Sequence, residues 1–351
     1  LWIINNMAYS TISKPSLHFN TKLYTGNGGT QSITGVGFQP DWVWFKSRTT
    51  TNNHALFDAV RGATKWIESN STSVEQTYAG GLTSFDSDGF SVGNGSDVNL
   101  NSSSQVAWNW KAGGAGSTNT DGSQSATVSV NTTAGFSIVK FVNNQSYTTN
   151  TFGHGLGAVP KVIIMRSLDS AYNWDVHHHK VAIDKRLKIN DSSGESSSTY
   201  MNSTSPTNQV FTVKSDEFDT NDNCIAYCFA EKKGYSKFGS YTGNASTNGP
   251  FIYTGFKPAW VLQKNYTSGS SNDWTLADNK RPGYNEINKR MVPNNNSVEA
   301  TNNQIDFVSN GFKIRGSETN ANGSGQTYVY LAFAEEPLVA NVGASIPATA
   351  E

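Results

Sequence analysis

Cysteine is nearly missing: the 351 residues include two, Cys224 and Cys228. On a strand they stand roughly 13 Å apart at ~3.3 Å per residue, beyond the ~7 Å Cα reach of a disulfide. A C-x-x-x-C pair without further cysteines also falls short of a zinc site, so both read as buried thiols. Charge is scarce too, at 15%, and 26 basic against 27 acidic residues leave a net charge of -1. That balance excludes a nucleic-acid or anionic-membrane binder driven by bulk charge. Apolar runs stay short of the ~18 residues of a membrane-spanning helix. The start, Leu1-Trp2-Ile3-Ile4-Asn5-Asn6, has no basic flank or cleavage site, and Met7 reads as a more natural first residue. Helical periodicity is almost absent, with room for a single turn between Asp58 and Trp66. A Gly-x-Ser-x-Gly elbow and a Walker glycine loop are both missing.

Turns and aromatics are what the chain has. Gly, Asn, Ser and Thr are abundant and aromatics make up 12%, a composition of β-strands joined by many turns rather than of a disordered chain. One unit is written three times. Gly37-Phe38-Gln39-Pro40 runs into the apolar strand Trp42-Val43-Trp44-Phe45 and ends on Lys46. Gly157-Ala158-Val159-Pro160 runs into Val162 to Met165 and ends on Arg166. Gly255-Phe256-Lys257-Pro258 runs into Trp260-Val261-Leu262 and ends on Lys264. Each strand is apolar on both faces and reads as central, covered on both sides. A closing strand follows at a nearly fixed interval: 70 residues separate Pro40 from Trp110, 69 separate Pro160 from Phe229, and 75 separate Pro258 from Phe333.

These spacings predict an all-β chain of three tandem antiparallel β-sandwich repeats, jelly-roll or lectin-like in outline. The alternative is one continuous β-structure whose units exchange edge strands. The expected layout is an N-terminal arm (1–17), repeat one (18–113), a Gly/Ser/Thr-rich linker (114–133) with room for a strand at Ala126 to Val130, repeat two (134–233), repeat three (234–337) and a C-terminal tail (338–351).

Several stretches resemble a family of phage structural proteins labelled tail-fibre-like, found in marine and other tailed bacteriophages. They are Gly135-Phe136-Ser137-Ile138-Val139, Gly153 to Lys161, Tyr241-Thr242-Gly243-Asn244, Tyr253 to Val261, Ser309-Asn310-Gly311-Phe312-Lys313 and Ile346 to Ala350. The resemblance runs from about Tyr9 to the C-terminus. It implies a virion component in contact with the host, and it brings no catalytic residues with it.

Four constellations invite chemistry. On a strand, Asp175, His177 and His179 share one face, a ligand set for Zn²⁺ or Ni²⁺. The matching stretches His54 to Asp58 and Trp274 to Asp278 keep the strand without the histidines, which favours a structural strand and no metal. Asp86-x-Asp88-Gly89 begins like a Ca²⁺ loop but lacks the later ligands, so an Asx turn is the better reading. The carboxylate pairs Glu68 with Glu75 and Glu286 with Glu299 are fixed by no glycosidase motif. Trp42, Trp44, Trp108 and Trp110 could stack on a sugar, yet their alternation favours the core. Recognition is expected in loops: at Asn94, Asp97 and Asn99, at Asn190 and Tyr200, and at Tyr266 and Asp273.

The expected function is that of a non-enzymatic, tail-fibre-like virion protein binding a host-surface glycan or receptor, needing no cofactor. Its expected partners are other virion proteins and the host surface, in a homotrimer, without nucleic acid or membrane insertion. The alternatives are a purely structural virion subunit (head decoration or fibre shaft) and a glycan depolymerase.

Overall fold

The computed structural model describes residues 10–146, 149–268, 272–283, 285–337, 339–342 and 344–347. Met7 and most of the expected arm lie outside them, as do residues 348–351 of the tail.

Unit one comprises β1 (Phe19–Thr25), β2 (Gln31–Thr34), β3 (Trp42–Ser47), β4 (Ala55–Asp58), β5 (Lys65–Glu68), β6 (Gln76–Thr77), β7 (Leu82–Asp86), β8 (Gly89–Val92), the turn α1 (Ser96–Asn99) and β9 (Ser104–Trp110). Unit two follows with β10 (Ser117–Asn119), β11 (Ala126–Asn131), β12 (Phe136–Val142), β13 (Thr149–Gly153), β14 (Val162–Ser167), β15 (Asp175–His178), β16 (Lys185–Lys188), β17 (Ser196–Ser197), β18 (Val210–Lys214) and β19 (Asn223–Phe229). Unit three has β20 (Ser236–Thr242), β21 (Phe251–Tyr253), β22 (Phe256–Asn265), β23 (Thr275–Asp278), β24 (Ile287–Arg290), β25 (Ala300–Val308), β26 (Gly311–Ile314), α2 (Thr319–Asn322) and β27 (Thr327–Pro337), with a terminal hairpin β28 (Val339–Val342) and β29 (Ala344–Pro347).

Each unit is a two-sheet antiparallel sandwich. The inner sheets run β1-β9-β3-β4-β5-β6, β12-β19-β14-β15-β16-β17 and β20-β27-β22-β23, and the outer sheets run β2-β8-β7, β13-β18 and β21-β26-β25-β24. The inner order of opening, closing, motif and next strand is therefore kept three times, and among the described residues no strand is passed from one unit to another. Gly37, Gly157 and Gly255 have φ of +90°, +65° and +83°. That left-handed backbone is what the repeated glycine supplies before each motif strand.

The motif strands are covered on both faces. Val43 and Phe45 point into the core of unit one with Phe57 and Phe90, and Ile163 and Met165 into the core of unit two. Their alternate neighbours Trp42, Trp44, Val162, Ile164 and Trp260 belong to one larger core shared by all three units. At its centre Trp42 stacks on Tyr227 at 4.3 Å and on Trp110 at 4.4 Å, while Phe333 stands 5.8 Å from both Trp110 and Phe229. Because side chains alternate along a strand, one apolar run serves both cores.

The strand expected at Ala126 to Val130 is present as β11, and with β10 it extends the inner sheet of unit two from within the segment 114–133, β11 pairing with β12 from Ala126↔Phe141 to Asn131↔Phe136. Ala126 and Val128 alternate inward and are buried. Helical turns lie at Pro15–Leu17, Ser96–Asn99 and Thr319–Asn322, while the stretch from Asp58 to Trp66 holds non-helical turns.

Candidate functional site

The three units close on one another in a ring of equivalent contacts. The Trp174 indole of unit two donates to the Glu68 carbonyl of unit one (2.7 Å), and the Trp274 indole of unit three donates to the Lys188 carbonyl of unit two (2.8 Å). His54 of unit one stands in the same place, its Nε2 3.0 Å from the Val292 carbonyl of unit three. The Trp44 indole donates to His54 Nδ1 (2.9 Å). With Nδ1 accepting, the imidazole is neutral with its proton on Nε2, and burial holds its pKa well below the usual value. A second ring runs through backbone: Glu75 N–H to Leu168 O (2.7 Å), Glu195 N–H to Tyr266 O (2.9 Å) and Glu299 N–H to Arg48 O (3.0 Å). The expectation of repeats side by side becomes a closed ring in which each unit holds the next.

Two of the three cations that end the motif strands serve the same ring. Lys46, Arg166 and Lys264 are all fully buried. Arg166 reaches across to the Ser71, Thr72 and Ser73 carbonyls of unit one, and Lys264 to the Ser192 carbonyl of unit two (2.7 Å). Lys46 bonds the Ser47 and Thr50 carbonyls within its own unit. Burial lowers Lys46 and Lys264 to about 8.

The weighed metal and carboxylate candidates do not come together among the described residues. β15 ends at His178, so His179 leaves the strand. Its Nε2 is 2.8 Å from the Phe238 carbonyl, while Asp175 accepts from Arg186 (3.0 Å) and lies buried beside His177. Among the described residues no three His, Cys, Asp or Glu side chains converge. Glu75 binds Arg61 and Glu299 binds Arg48 and Arg281, Glu68 accepts from Asn53, and Glu286 is exposed. Asp88 receives the Gly35 and Gly37 N–H groups (3.0 and 2.7 Å), and these bonds lower its pKa. The four tryptophans proposed as a sugar platform are buried in the shared core.

The loop candidates divide. Asn99 is fully buried and spans the opening turn of unit one, donating to Asn27, Gly29 and Gly93. Asn322 does the same in unit three. Tyr200 is fully buried in unit two, with no surface for a ligand. Asn190 accepts the Trp174 N–H and donates to Asn173, part of the framework behind the seam. Asp273 occupies the equivalent pairing place, accepting from Asn294 (2.8 Å). Asn94 is exposed, and Asp97 is half-buried, accepting from Asn53 N–H (3.1 Å). Tyr266 is half-buried, with its backbone in the seam to Glu195.

A pocket of about 330 Å³ in unit three is lined by Asn265, Ser268, Asn272, Thr319, Gly323, Ser324 and Gln326. The strand registers place Asn265 opposite Tyr328 where Ser47 faces Gln105 and Ser167 faces Cys224. The equivalent pairs two residues back along the closing strand are Ser47 with Ser103, Ser167 with Asp222, and Asn265 with Gln326. Unit one closes its pair with a hydroxyl–hydroxyl bond of 2.8 Å, and unit two with a Ser167-to-Asp222 bond of 2.6 Å. In unit three Asn265 turns to the Thr319 carbonyl and the Tyr328 hydroxyl, and Gln326 Oε1 is buried without a hydrogen-bond partner. Gln326 was invisible in the single chain. Only superposing the three copies exposes the change from short side chains to two amides.

No curated protein and no solved structure matches the chain. One family model, described as a domain of unknown function (DUF7483), matches residues 14–337, a span that takes in all three units. The chain belongs to that DUF7483 family.

Proposed function

We propose that the chain is a non-enzymatic, tail-fibre-like virion protein that displays a binding surface for a host-surface glycan or receptor, alongside other virion proteins. The resemblance of its repeat motifs to phage structural proteins is what suggests a place on the virion. The observation that carries the binding role is the contrast between seams and loop ends. Seam contacts recur in all three units with different residues, His54, Trp174 and Trp274 each reaching a neighbouring unit's carbonyl. Loop ends diverge, from a Ser47–Ser103 closure to an open Asn265–Gln326 pair. A framework held constant with variable ends is the arrangement of a display scaffold.

The carboxylates that would have to act as acid and base are engaged elsewhere, Glu75 and Glu299 on arginines, which supports binding over hydrolysis. The test is a glycan array probed with the purified chain, with host polysaccharide incubated in parallel. Retention of defined glycans without released oligosaccharide is expected. No retention would favour a purely structural virion subunit, and released oligosaccharide a depolymerase. Location of the chain on an intact particle by labelled antibody tests the virion assignment.

A further inference from the structure

We infer that the outer sheet of unit three carries a stacking platform for a polysaccharide, with Phe251 and Tyr253 on β21 each taking the flat side of a sugar ring. That the polysaccharide is a host glycan rests on the function proposed above, whereas the platform's chemistry rests on these strands alone.

Alternation along β21 leaves Phe251 and Tyr253 48% and 55% exposed and turns Ile252 between them into the core. Among the described residues no other aromatic side chain is exposed. Exposed rings scattered singly need no explanation, but these two stand in line on one face. Two residues along a strand put them roughly 7 Å apart, a span that two linked sugar rings cover. The Phe251 ring reaches over Gly311 of β26, its Cε2 3.1 Å from where a β-carbon of that glycine would stand. Glycine leaves the ring room to lie over the neighbouring strand.

The other two copies show that the fold does not ask for these rings. The inward pairs Ile33–Phe90, Phe152–Phe211 and Ile252–Phe312 align the three outer sheets. Phe251 then stands where units one and two have Ser32 and Thr151, and Tyr253 where they have Thr34 and Gly153. In unit one both places are exposed and polar. In unit two the Thr151 hydroxyl accepts the Ser123 N–H (2.8 Å) and its carbonyl the Gln124 N–H (3.2 Å), so the protein's own loop engages that strand.

The neighbouring side chains set the ligand class. Lys313 stands opposite Phe251 and Asp306 opposite Lys313, all on the same face, and Arg315 bonds Asp306 at 3.4 Å. The negative face of an aromatic ring attracts the C–H side of a pyranose, and the sugar hydroxyls meet donors and an acceptor in this row. A purely apolar ligand would cover three charged groups. A protein partner needs about 800 Å² of surface, whereas half of two side chains of about 150–250 Å² each leaves roughly 200 Å² of ring. The Phe251 end of the row borders the loop 244–250. Asn322 holds that loop, accepting the Asn244 N–H and donating to the Ser246 carbonyl (both 2.8 Å), so the platform is continuous with the α2 end of unit three.

The experiment is affinity electrophoresis of the full chain through native gels containing hydroxyethylcellulose, galactomannan, dextran or laminarin. At least one polysaccharide is expected to retard the protein. The double substitution Phe251→Ser with Tyr253→Thr installs the unit-one residues and is expected to abolish the retardation, with the thermal melt unchanged. Tyr253→Phe should keep it, because stacking does not use the hydroxyl. Should the double variant misfold, Tyr253→Ala alone is expected to weaken retention about tenfold. Retardation that survives the loss of both rings, or none by any of the four polymers, overturns the platform. A parent protein that self-associates in light scattering through these rings, without retardation, would make the face a contact between copies and likewise overturn it. Glycan-array retention that the double variant leaves intact would overturn the platform and keep the attachment role. Retardation here with a silent array would keep the platform and remove that role.

Discussion

The Tyr227 hydroxyl of unit two donates to Asp58 Oδ2 of unit one at 2.8 Å, inside the shared core. The same place between units one and three is filled by the Trp108 indole donating to Asp278 Oδ2 (3.0 Å). Between units three and two the donor is gone, because Leu331 occupies it, and the acceptor has gone with it: His178 replaces the aspartate and its Nε2 lies 3.3 Å from the Tyr330 carbonyl. The exchange is paired. A buried aspartate facing a leucine would lose its cross-unit partner, and the chain avoids that cost.

Tyr227→Phe removes a cross-unit bond to a charged group without changing the packing. It is expected to lower unfolding stability by about 1.5–3 kcal/mol. Urea unfolding followed by tryptophan fluorescence and by circular dichroism should give coincident curves for both proteins, since the three units share one core. Separate transitions would show that the units fold independently.

Acid should open the ring at its histidine seams. Burial lowers His178 to about 3 and His177 to about 4, and His54 well below its ordinary 6.5. The folded state binds fewer protons than the unfolded chain between those values and 6.5. Stability is therefore fully present above about pH 6.5 and falls as pH drops toward 4. His178→Gln, measured by thermal melts across pH 4–7, is expected to flatten this dependence; an unchanged slope would contradict the assignment.

The buried lysines act on the alkaline side. Lys46 and Lys264 have folded pKa values near 8 against an ordinary 10.5. The unfolded chain binds more protons in that interval, so their contribution to stability rises from pH 8 toward 10.5. Buried tyrosines with raised pKa values, Tyr227 and Tyr241 among them, oppose this above about pH 10 as unfolded tyrosines ionise. Burial also raises Cys224 and Cys228, which oppose the lysines as unfolded thiols ionise near pH 9, so the lysine effect is read by difference: between pH 8 and 9.5 the melting temperature of Lys264→Met should fall relative to that of the parent chain.

The three units share one core within a single chain, so the ring closes without the homotrimer expected from the tail-fibre-like resemblance. Light scattering of the purified protein should give about the 38.0 kDa of a single chain. A mass three times larger would show that the ring has an outer interface as well.

The fold was legible where backbone demands recur. Gly37, Gly157 and Gly255 marked left-handed turns, and the runs after them marked strands covered on both sides. The sequence could not say that the Trp42 face meets two other units, because apolar residues look alike whichever core they enter. Loop position was a poor guide to a site. Asn99 and Tyr200 sit in polar stretches yet are fully buried, one bonding a turn and the other packed in a core. Asn265 and Gln326 became visible only through their counterparts Ser47 and Ser103.

The central claim is that recognition lies where the units differ and not where they agree. Hydrogen–deuterium exchange of the whole chain with and without host cell-surface polysaccharide tests it most directly. The account predicts added protection at residues 265–268 and 319–326, with the seam amides of Glu75, Glu195 and Glu299 unchanged. Protection confined to the seams, or the same at all three loop ends, would contradict it.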